Sequence, residues 1–156
     1  MGIDSDFGWA FAKSQAAASV PLPHTGTVFI SVKDQDKPVA LDIAHRLCRL
    51  GFQIEATSGT AAYLGNGGVE VSQVNKVKEG RPHVVDHIKN GSISLVVNTV
   101  WGESSKTDSA SIRREALQQG LPYFTTMPGA RAAVMGIEAT QKKALSIRSL
   151  QEYHEK

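Results

Sequence analysis

Thr27-Val28-Phe29-Ile30-Ser31-Val32, then Val39-Ala40-Leu41-Asp42-Ile43-Ala44-His45-Arg46-Leu47-Cys48-Arg49-Leu50-Gly51, then Phe52-Gln53-Ile54-Glu55-Ala56-Thr57-Ser58-Gly59-Thr60 is the stretch that decides the fold. The first segment is a β-rich apolar run of the length of a buried strand. In the second, Val39, Ile43, Leu47 and Leu50 recur at helical spacing, with Ala40 and Ala44 beside them. Pro38 suits its first turn and Gly51 its stop. The third is a strand that runs into a turn, and the turn opens a short helix, Ala61 to Asn66. Strand, helix, strand, helix in this order predicts a parallel sheet with helices on both faces.

The rest of the chain continues that alternation. Gly67-Gly68 ends the helix after Thr60, and Val69–Val74 reads as a third strand. Pro82 opens a helix with Val84, Val85 and Ile88 inside and Asn90-Gly91 at its end. Ile93-Ser94-Leu95-Val96-Val97-Asn98 is the clearest strand after the first. A polar stretch leads to a helix over about 108–119, stopped by Gly120. Leu121-Pro122-Tyr123-Phe124-Thr125 is a short last strand, followed by helices over 128–139 and about 146–155. Ahead of all this, residues 6–19 form a short helix, closed by the extended connector Val20-Pro21-Leu22-Pro23. Residues 1–24 therefore read as a lead-in, and 25–156 as the domain.

Composition narrows the function classes. The 156 residues are about one domain. Lys plus Arg is 17 against 15 for Asp plus Glu, so the net charge of +2 argues against a general nucleic-acid binder and a polybasic membrane anchor. A single cysteine, Cys48, excludes an internal disulfide and a multi-cysteine zinc site. It falls on a helical stripe and reads as a core thiol. No apolar run approaches the ~18 residues of a membrane span, and the opening MGIDSDFGWAF carries acids where a secretory signal wants bases. A cytoplasmic location is the expectation.

Chemistry concentrates at one sheet edge. In a parallel sheet, ligands sit beyond the C-terminal ends of the strands. Thr57-Ser58-Gly59-Thr60 follows a strand and opens a helix, where unpaired N–H groups and the helix dipole favour an anion. Three hydroxyls and a glycine suit a phosphate; a simple Ser/Thr cap is the plainer alternative. Lys37 follows the first strand and Lys76 the third, while Asn98 and Thr99 end the fourth, so all point to the same edge. No Walker A, G-x-G-x-x-G, H-E-x-x-H or G-x-S-x-G pattern occurs. His83 and His87 are i,i+4 with Asp86 beside them, which is too few ligands for a metal, so no metal site is expected. Arg113-Arg114 reads as a solvated pair on a helix surface.

Specific stretches then point to a family. Ile30–Lys37, Glu55-Ala56-Thr57-Ser58-Gly59-Thr60-Ala61, Asn75-Lys76-Val77-Lys78-Glu79-Gly80-Arg81-Pro82, Ile88-Lys89-Asn90-Gly91 and Val96-Val97-Asn98-Thr99 occur in that order. The chain resembles the C-terminal allosteric domain, methylglyoxal-synthase-like, of the carbamoyl-phosphate synthase large subunit. Residues 1–15 resemble the junction with that enzyme's second synthetase unit. The resemblance implies a three-layer α/β/α Rossmann-like fold with a five-stranded parallel sheet. It implies a regulatory domain, without a catalytic site of its own, that binds UMP or IMP and contributes to ornithine sensing. Its phosphate site would comprise Lys37, Thr57, Ser58, Gly59, Thr60 and Lys76. Asn98, Thr99 and Ser109 would border the pocket, and Tyr123 and Thr125 would contact ornithine.

The resemblance also supplies a context. The parent enzyme is a glutamine-dependent ligase of arginine and pyrimidine biosynthesis that uses ATP and magnesium or manganese. Its synthetase domains and glutaminase small subunit would be the partners, with self-association left open; this domain itself would hold no cofactor. Val100 stands where nucleotide-binding members often carry threonine, and Trp101 follows it. Glu103 stands where basic residues occur in well-studied members. A lost hydroxyl and an added negative charge each weaken a phosphate monoester by about 1–2 kcal/mol. Some relatives bind N-acetylglutamate instead, so the effector is open. The alternatives are a methylglyoxal synthase-type lyase and an assembly-only domain. The lyase needs a carboxylate base beside the phosphate, and its G-G-D motif is absent here: Gly67-Gly68 is followed by Val69, leaving Asp34, Asp36 and Asp108 as stray carboxylates.

Overall fold

The computed structural model describes residues 1–99, 103–144 and 146–154, with side chains left aside at 103–107 and at 154. Val100 and Trp101 thus lie outside the described residues, as does the Glu103 side chain. The elements follow the expected alternation: α1 (Phe7–Ala17), β1 (Thr27–Ser31), α2 (Lys37–Arg49), β2 (Gln53–Ala56), α3 (Ser58–Asn66), β3 (Val71–Gln73), α4 (Val84–Lys89), β4 (Ile93–Asn98), α5 (Glu103–Gln118), β5 (Tyr123–Phe124), α6 (Met127–Lys142) and α7 (Leu150–His154). Two 3-10 turns, Asp34–Asp36 and Val77–Glu79, add to these.

The sheet is parallel throughout, in the order β3-β2-β1-β4-β5. Helices cover both faces. Val28, Ile30, Ile54, Ala56, Leu95 and Val97 face one way, onto Ile43 and Leu47 of α2, Leu64 of α3 and Val134 and Ile137 of α6. Phe29 and Val96 face the other way, onto Val84, Val85 and Ile88 of α4 and Ile112 and Ala116 of α5. Because side chains alternate along a strand, a run such as VFI or LVV is buried on both faces at once. Phe29, Ile43 and Leu47 are essentially inaccessible to water, and each contributes about 1.5–3 kcal/mol by leaving it. A register shift between Thr27 and Val28 lets Ile93 and Leu95 reach opposite cores.

Helix ends obey local chemistry. At the end of α2, Gly51 takes φ +88, which a side chain resists, and the N–H groups of Gly51 and Phe52 bond the carbonyls of Cys48 and Leu47. The stop at Gly120, φ +66, repeats this pattern.

Several boundaries move. β3 is shorter than Val69–Val74; past it, Asn75 forms an isolated parallel bridge with His83. Pro82 precedes rather than opens α4, whose first turn is closed by Asp86 accepting from the His83 N–H at 3.0 Å. α5 begins at Glu103 rather than near 108, and β5 contracts to two residues.

The opening helix has a packing partner within the chain. α1 lies against α6 at close range, with Gly8 on the backbone of Met135 and with Leu22 and Ala12 against Gly136. Phe11 sits 6.1 Å from Phe7 and 6.2 Å from Phe124, ring centre to ring centre. The Lys13 ammonium bonds Asp4 at 2.7 Å and the Tyr153 hydroxyl at 2.9 Å, tying the N-terminus to α7.

Candidate functional site

The sheet order has one switch point. From β1 the chain moves outward through β2 and β3, then returns to β4 on the other side of β1. β1 leads on to α2 on one face of the sheet and β4 to α5 on the other, and a crevice opens between the two strand ends. Ser31 and Asn98, register partners that end these two strands, form its floor. A cavity of about 190 Å³ lies there, lined by Ser31, Thr57, Lys76, Lys78, Glu79, Val84, Asn98, Asp108, Ser109 and Ile112.

A polar row crosses four adjacent strand ends. Thr57 Oγ1 lies 3.1 Å from Ser31 Oγ, and Asn98 Nδ2 donates to the Tyr123 hydroxyl at 3.0 Å. Thr57 occupies the N-cap position of α3, yet its hydroxyl caps no N–H of the helix. The plain cap reading therefore fails for the side chain: Thr57 turns to Ser31, and its hydroxyl takes none of the outward N–H groups in the first turn of α3.

Cations approach from both sides. The Lys37 ammonium stands 3.8 Å from where a Cβ on Gly59 would be, so it hangs over the first turn of α3. It also lies 5.9 Å from the Tyr63 ring centre. Asp34 Oδ1 holds it at 2.7 Å, and that contact lowers the Asp34 carboxyl below its ordinary range. Across the crevice, Lys76 is held by its own N–H, which donates to Glu79 Oε2 at 2.8 Å in the turn that follows β3.

Not every expected residue enters the cavity. Thr57, Lys76, Asn98 and Ser109 line it. Lys37, Ser58 and Gly59 lie at the adjoining α3 N-terminus. Thr60 is 2 % exposed and its hydroxyl accepts from the Val32 N–H at 3.3 Å, a packing role at the same helix start. Thr99 donates to Asp36 Oδ2 at 2.6 Å and accepts from the Lys33 N–H at 3.4 Å, which ties the β4 end to the 3-10 turn after β1. Tyr123 and Thr125 sit at the end of β5, half-buried and exposed respectively.

Sequence reasoning passed over Ser31, Lys78 and Glu79 among the polar lining residues, and it kept Asp108 only as a stray carboxylate. The last is informative. Asp108 Oδ1 is buried without a hydrogen-bond partner among the described residues. A buried carboxylate oxygen left in this state carries a desolvation cost, which a donor entering the cavity would offset. The sequence offered Asp108 only as one of three stray carboxylates, beside Asp34 and Asp36.

The remaining motifs resolve into structure. His87 Nδ1 pairs with Glu55 Oε2 at 2.8 Å, whereas His83 Nδ1 lies 3.1 Å from Asp86 Oδ2 without hydrogen-bond alignment. The two histidines thus serve different carboxylates. Among the described residues no three His, Cys, Asp or Glu side chains converge as metal ligands. Burial first, then the Glu70 charge, pushes the Cys48 thiol up, which keeps it in the unreactive thiol form. Arg113 and Arg114 are exposed on α5, as read, and the Arg113 guanidinium lies 5.8 Å from the Tyr123 ring centre. Among the described residues no helix is long and apolar enough to cross a membrane.

Comparison with known proteins shows the family. The family model described as MGS-like domain matches residues 39–125. The chain is 51% identical over 153 residues to the carbamoyl phosphate synthase large chain of Myxococcus xanthus, covering 98% of this chain and 14% of that protein. It is 48% identical over 155 residues to the large chain of Rhizobium meliloti, covering 99% of this chain and 13% of that one. For the Gemmatimonas aurantiaca large chain the identity is 50% over 155 residues, with 99% and 14% covered. The chain spans about one-seventh of the length of these relatives.

Proposed function

This chain belongs to the MGS-like domain family, and on that premise we propose that it is the regulatory domain of a glutamine-dependent carbamoyl phosphate synthase large chain, which binds a phosphate-bearing nucleotide, UMP or IMP, at the switch-point crevice. The observation that carries the reading is the α3 N-terminus. Its first turn is uncapped by Thr57, is overhung by Lys37, and adjoins a cavity with Lys76 on its wall. A phosphate takes the helix start and the two ammonium groups. Ribose and base then extend between α4 and α5, where Val84 and Ile112 offer apolar surface and Asp108 accepts a hydroxyl or ring N–H.

The same proposal carries a wider assembly, supported by the likeness to the large chains. Synthetase domains of the same large chain and a glutaminase small subunit are the partners, and the parent enzyme uses ATP with magnesium or manganese in arginine and pyrimidine biosynthesis. Effector occupancy acts on the distant reaction through different affinities for two states of the whole enzyme. Tyr123 and Thr125 form the domain's share of an ornithine subsite at the end of β5. The test is chemical-shift mapping with UMP: perturbations are expected at Thr57–Thr60, Asn98, Thr99 and Ser109. Shifts confined to other surfaces sink the reading.

One observation favours a second reading, a lyase of the methylglyoxal synthase type. Asp108 places an unpaired carboxylate oxygen in the cavity, the kind of group a proton-abstracting base requires. Turnover of dihydroxyacetone phosphate by the purified chain, abolished in Asp108→Asn, would establish it. The effector reading expects none.

A further inference from the structure

We infer that Asn75, which lies outside the cavity, is a positioning residue for it. Its side-chain amide closes the neck of the 76–82 loop and so holds Lys76 on the cavity wall. The inference rests on the effector reading above and deepens it, because it names what keeps that ammonium in place before any ligand arrives.

The loop is closed at its base. Val74 is buried, and its N–H donates to the Ala56 carbonyl of β2 at 2.9 Å. The chain returns beside Asn75 at Pro82–Val84. Asn75 forms its parallel bridge with His83, its carbonyl accepts from the Val84 N–H at 3.2 Å, and its Nδ2 donates to the Pro82 carbonyl at 3.2 Å. Only the nitrogen side of a primary amide can meet a carbonyl in this way. The returning leg is anchored in turn by the His83 N–H on Asp86 Oδ2 in the first turn of α4.

Inside the loop, Glu79 fixes the lysine backbone. The Lys76 N–H donates to Glu79 Oε2 at 2.8 Å, and the Lys76 carbonyl accepts from the Glu79 N–H at 3.0 Å. These contacts join Lys76 to its own turn. The neck joins that turn to the sheet and to α4, so the place of the ammonium relative to the α3 N-terminus depends on it. Lys76 and Glu79 both line the cavity, whereas Asn75 does not. A lysine on an open loop must be ordered when the ligand binds, and that cost subtracts from affinity.

The experiment is a titration of the chain with UMP in four forms: wild type, Asn75→Ala, Lys76→Ala and the double variant, each checked by thermal melting. Asn75→Ala removes the bond to Pro82 without adding charge. That bond is solvent-exposed, so the melting temperature is expected to move by no more than roughly two degrees. UMP is expected to bind roughly three- to tenfold more weakly, the size of one hydrogen bond's contribution. In the Lys76→Ala background the same change is expected to add nothing, because the group it positions is gone. Hydrogen exchange gives a second reading: the Lys76 and Glu79 amides are expected to exchange faster in Asn75→Ala, while Val96 in β4 does not change. Equal UMP affinity in wild type and Asn75→Ala, or an equal loss in both backgrounds, overturns the inference while leaving the effector reading standing. Absence of saturable UMP binding in the wild type overturns both. Where Lys76→Ala binds too weakly for comparison, the exchange rates decide: unchanged rates at Lys76 and Glu79 contradict the inference. Should Asn75→Ala unfold the chain, Asn75→Ser, too short to reach Pro82, takes its place in the same design.

Discussion

The Lys37 ammonium lies 2.7 Å from Asp34 Oδ1, while it overhangs the first turn of α3 beside Gly59. The lysine is therefore shared between an internal carboxylate and any anion at the helix start. The Asp34 side chain is 91% exposed, so the pair is weakly held and readily exchanged. Asp34→Asn removes the competitor. Inorganic phosphate and UMP are expected to bind about two- to fourfold tighter at low ionic strength, with the gain vanishing in high salt. Unchanged or weaker binding means that Asp34 orients Lys37 rather than competing for it.

Thr60 looks like a phosphate ligand in the sequence but is buried in the structure, with its hydroxyl on the Val32 N–H. Thr60→Val leaves that amide without a partner. The expected cost is about 1–2 kcal/mol of stability, read as a lower urea midpoint at unchanged slope. A midpoint equal to wild type would show that the hydroxyl is dispensable for folding.

Arg46 and Glu138 join α2 to α6 through two parallel bonds of 2.9 and 2.8 Å. The guanidinium holds the Glu138 carboxyl below the ordinary glutamate range, and Glu138 raises Arg46 in turn. A carboxyl depressed in the folded state stabilises at pH above its unfolded value, and the contribution is lost as pH falls through the folded one. Glu138→Gln is expected to cost about 1 kcal/mol at neutral pH and progressively less as pH falls through the lowered folded-state value. Thermal melts across that range check it; a pH-independent difference contradicts the assignment.

The lead-in helix provides a third stability test. Ala12 and Leu22 belong to the core that α6 completes, and Gly136 allows the close approach, since a Cβ there would sit 2.5 Å from Leu22 Cδ1. Removing residues 1–20 exposes that face of α6, so the melting temperature is expected to fall by several degrees. Gly136→Ala is expected to cost about 1–3 kcal/mol by overpacking. An unchanged melting temperature in both would show that residues 1–20 contribute nothing to this domain.

Much of the fold was legible because its strands are short apolar runs bounded by glycine. β4 falls at Ile93–Asn98 as read, and Gly51 and Gly120 end their helices where expected. The 3-10 turn at Asp34–Asp36 was hidden because DQD has no hydrophobic period, yet it carries the carboxylate that holds Lys37. β5 was over-read because Leu121 and Pro122 extend an apolar run that the sheet pairs over only two residues. The site was legible as a set of strand ends and one helix start, which topology brings together. What individual hydroxyls bond was not, because Thr57, Thr60 and Thr99 look alike in sequence and meet Ser31, Val32 and Asp36 in space. Asp108 stood among the stray carboxylates and outside the effector site, because nothing in the sequence shows that its Oδ1 is buried.

The central claim is that the crevice between the β1 and β4 ends takes a phosphate-bearing nucleotide. Its most direct test is a calorimetric titration of the chain with UMP, in wild type and in Lys76→Ala, with IMP, inorganic phosphate and N-acetylglutamate as comparison ligands. The account predicts saturable UMP binding, competition by inorganic phosphate, and a loss of at least tenfold in Lys76→Ala at unchanged stability. UMP affinity identical in the two folded forms would contradict it.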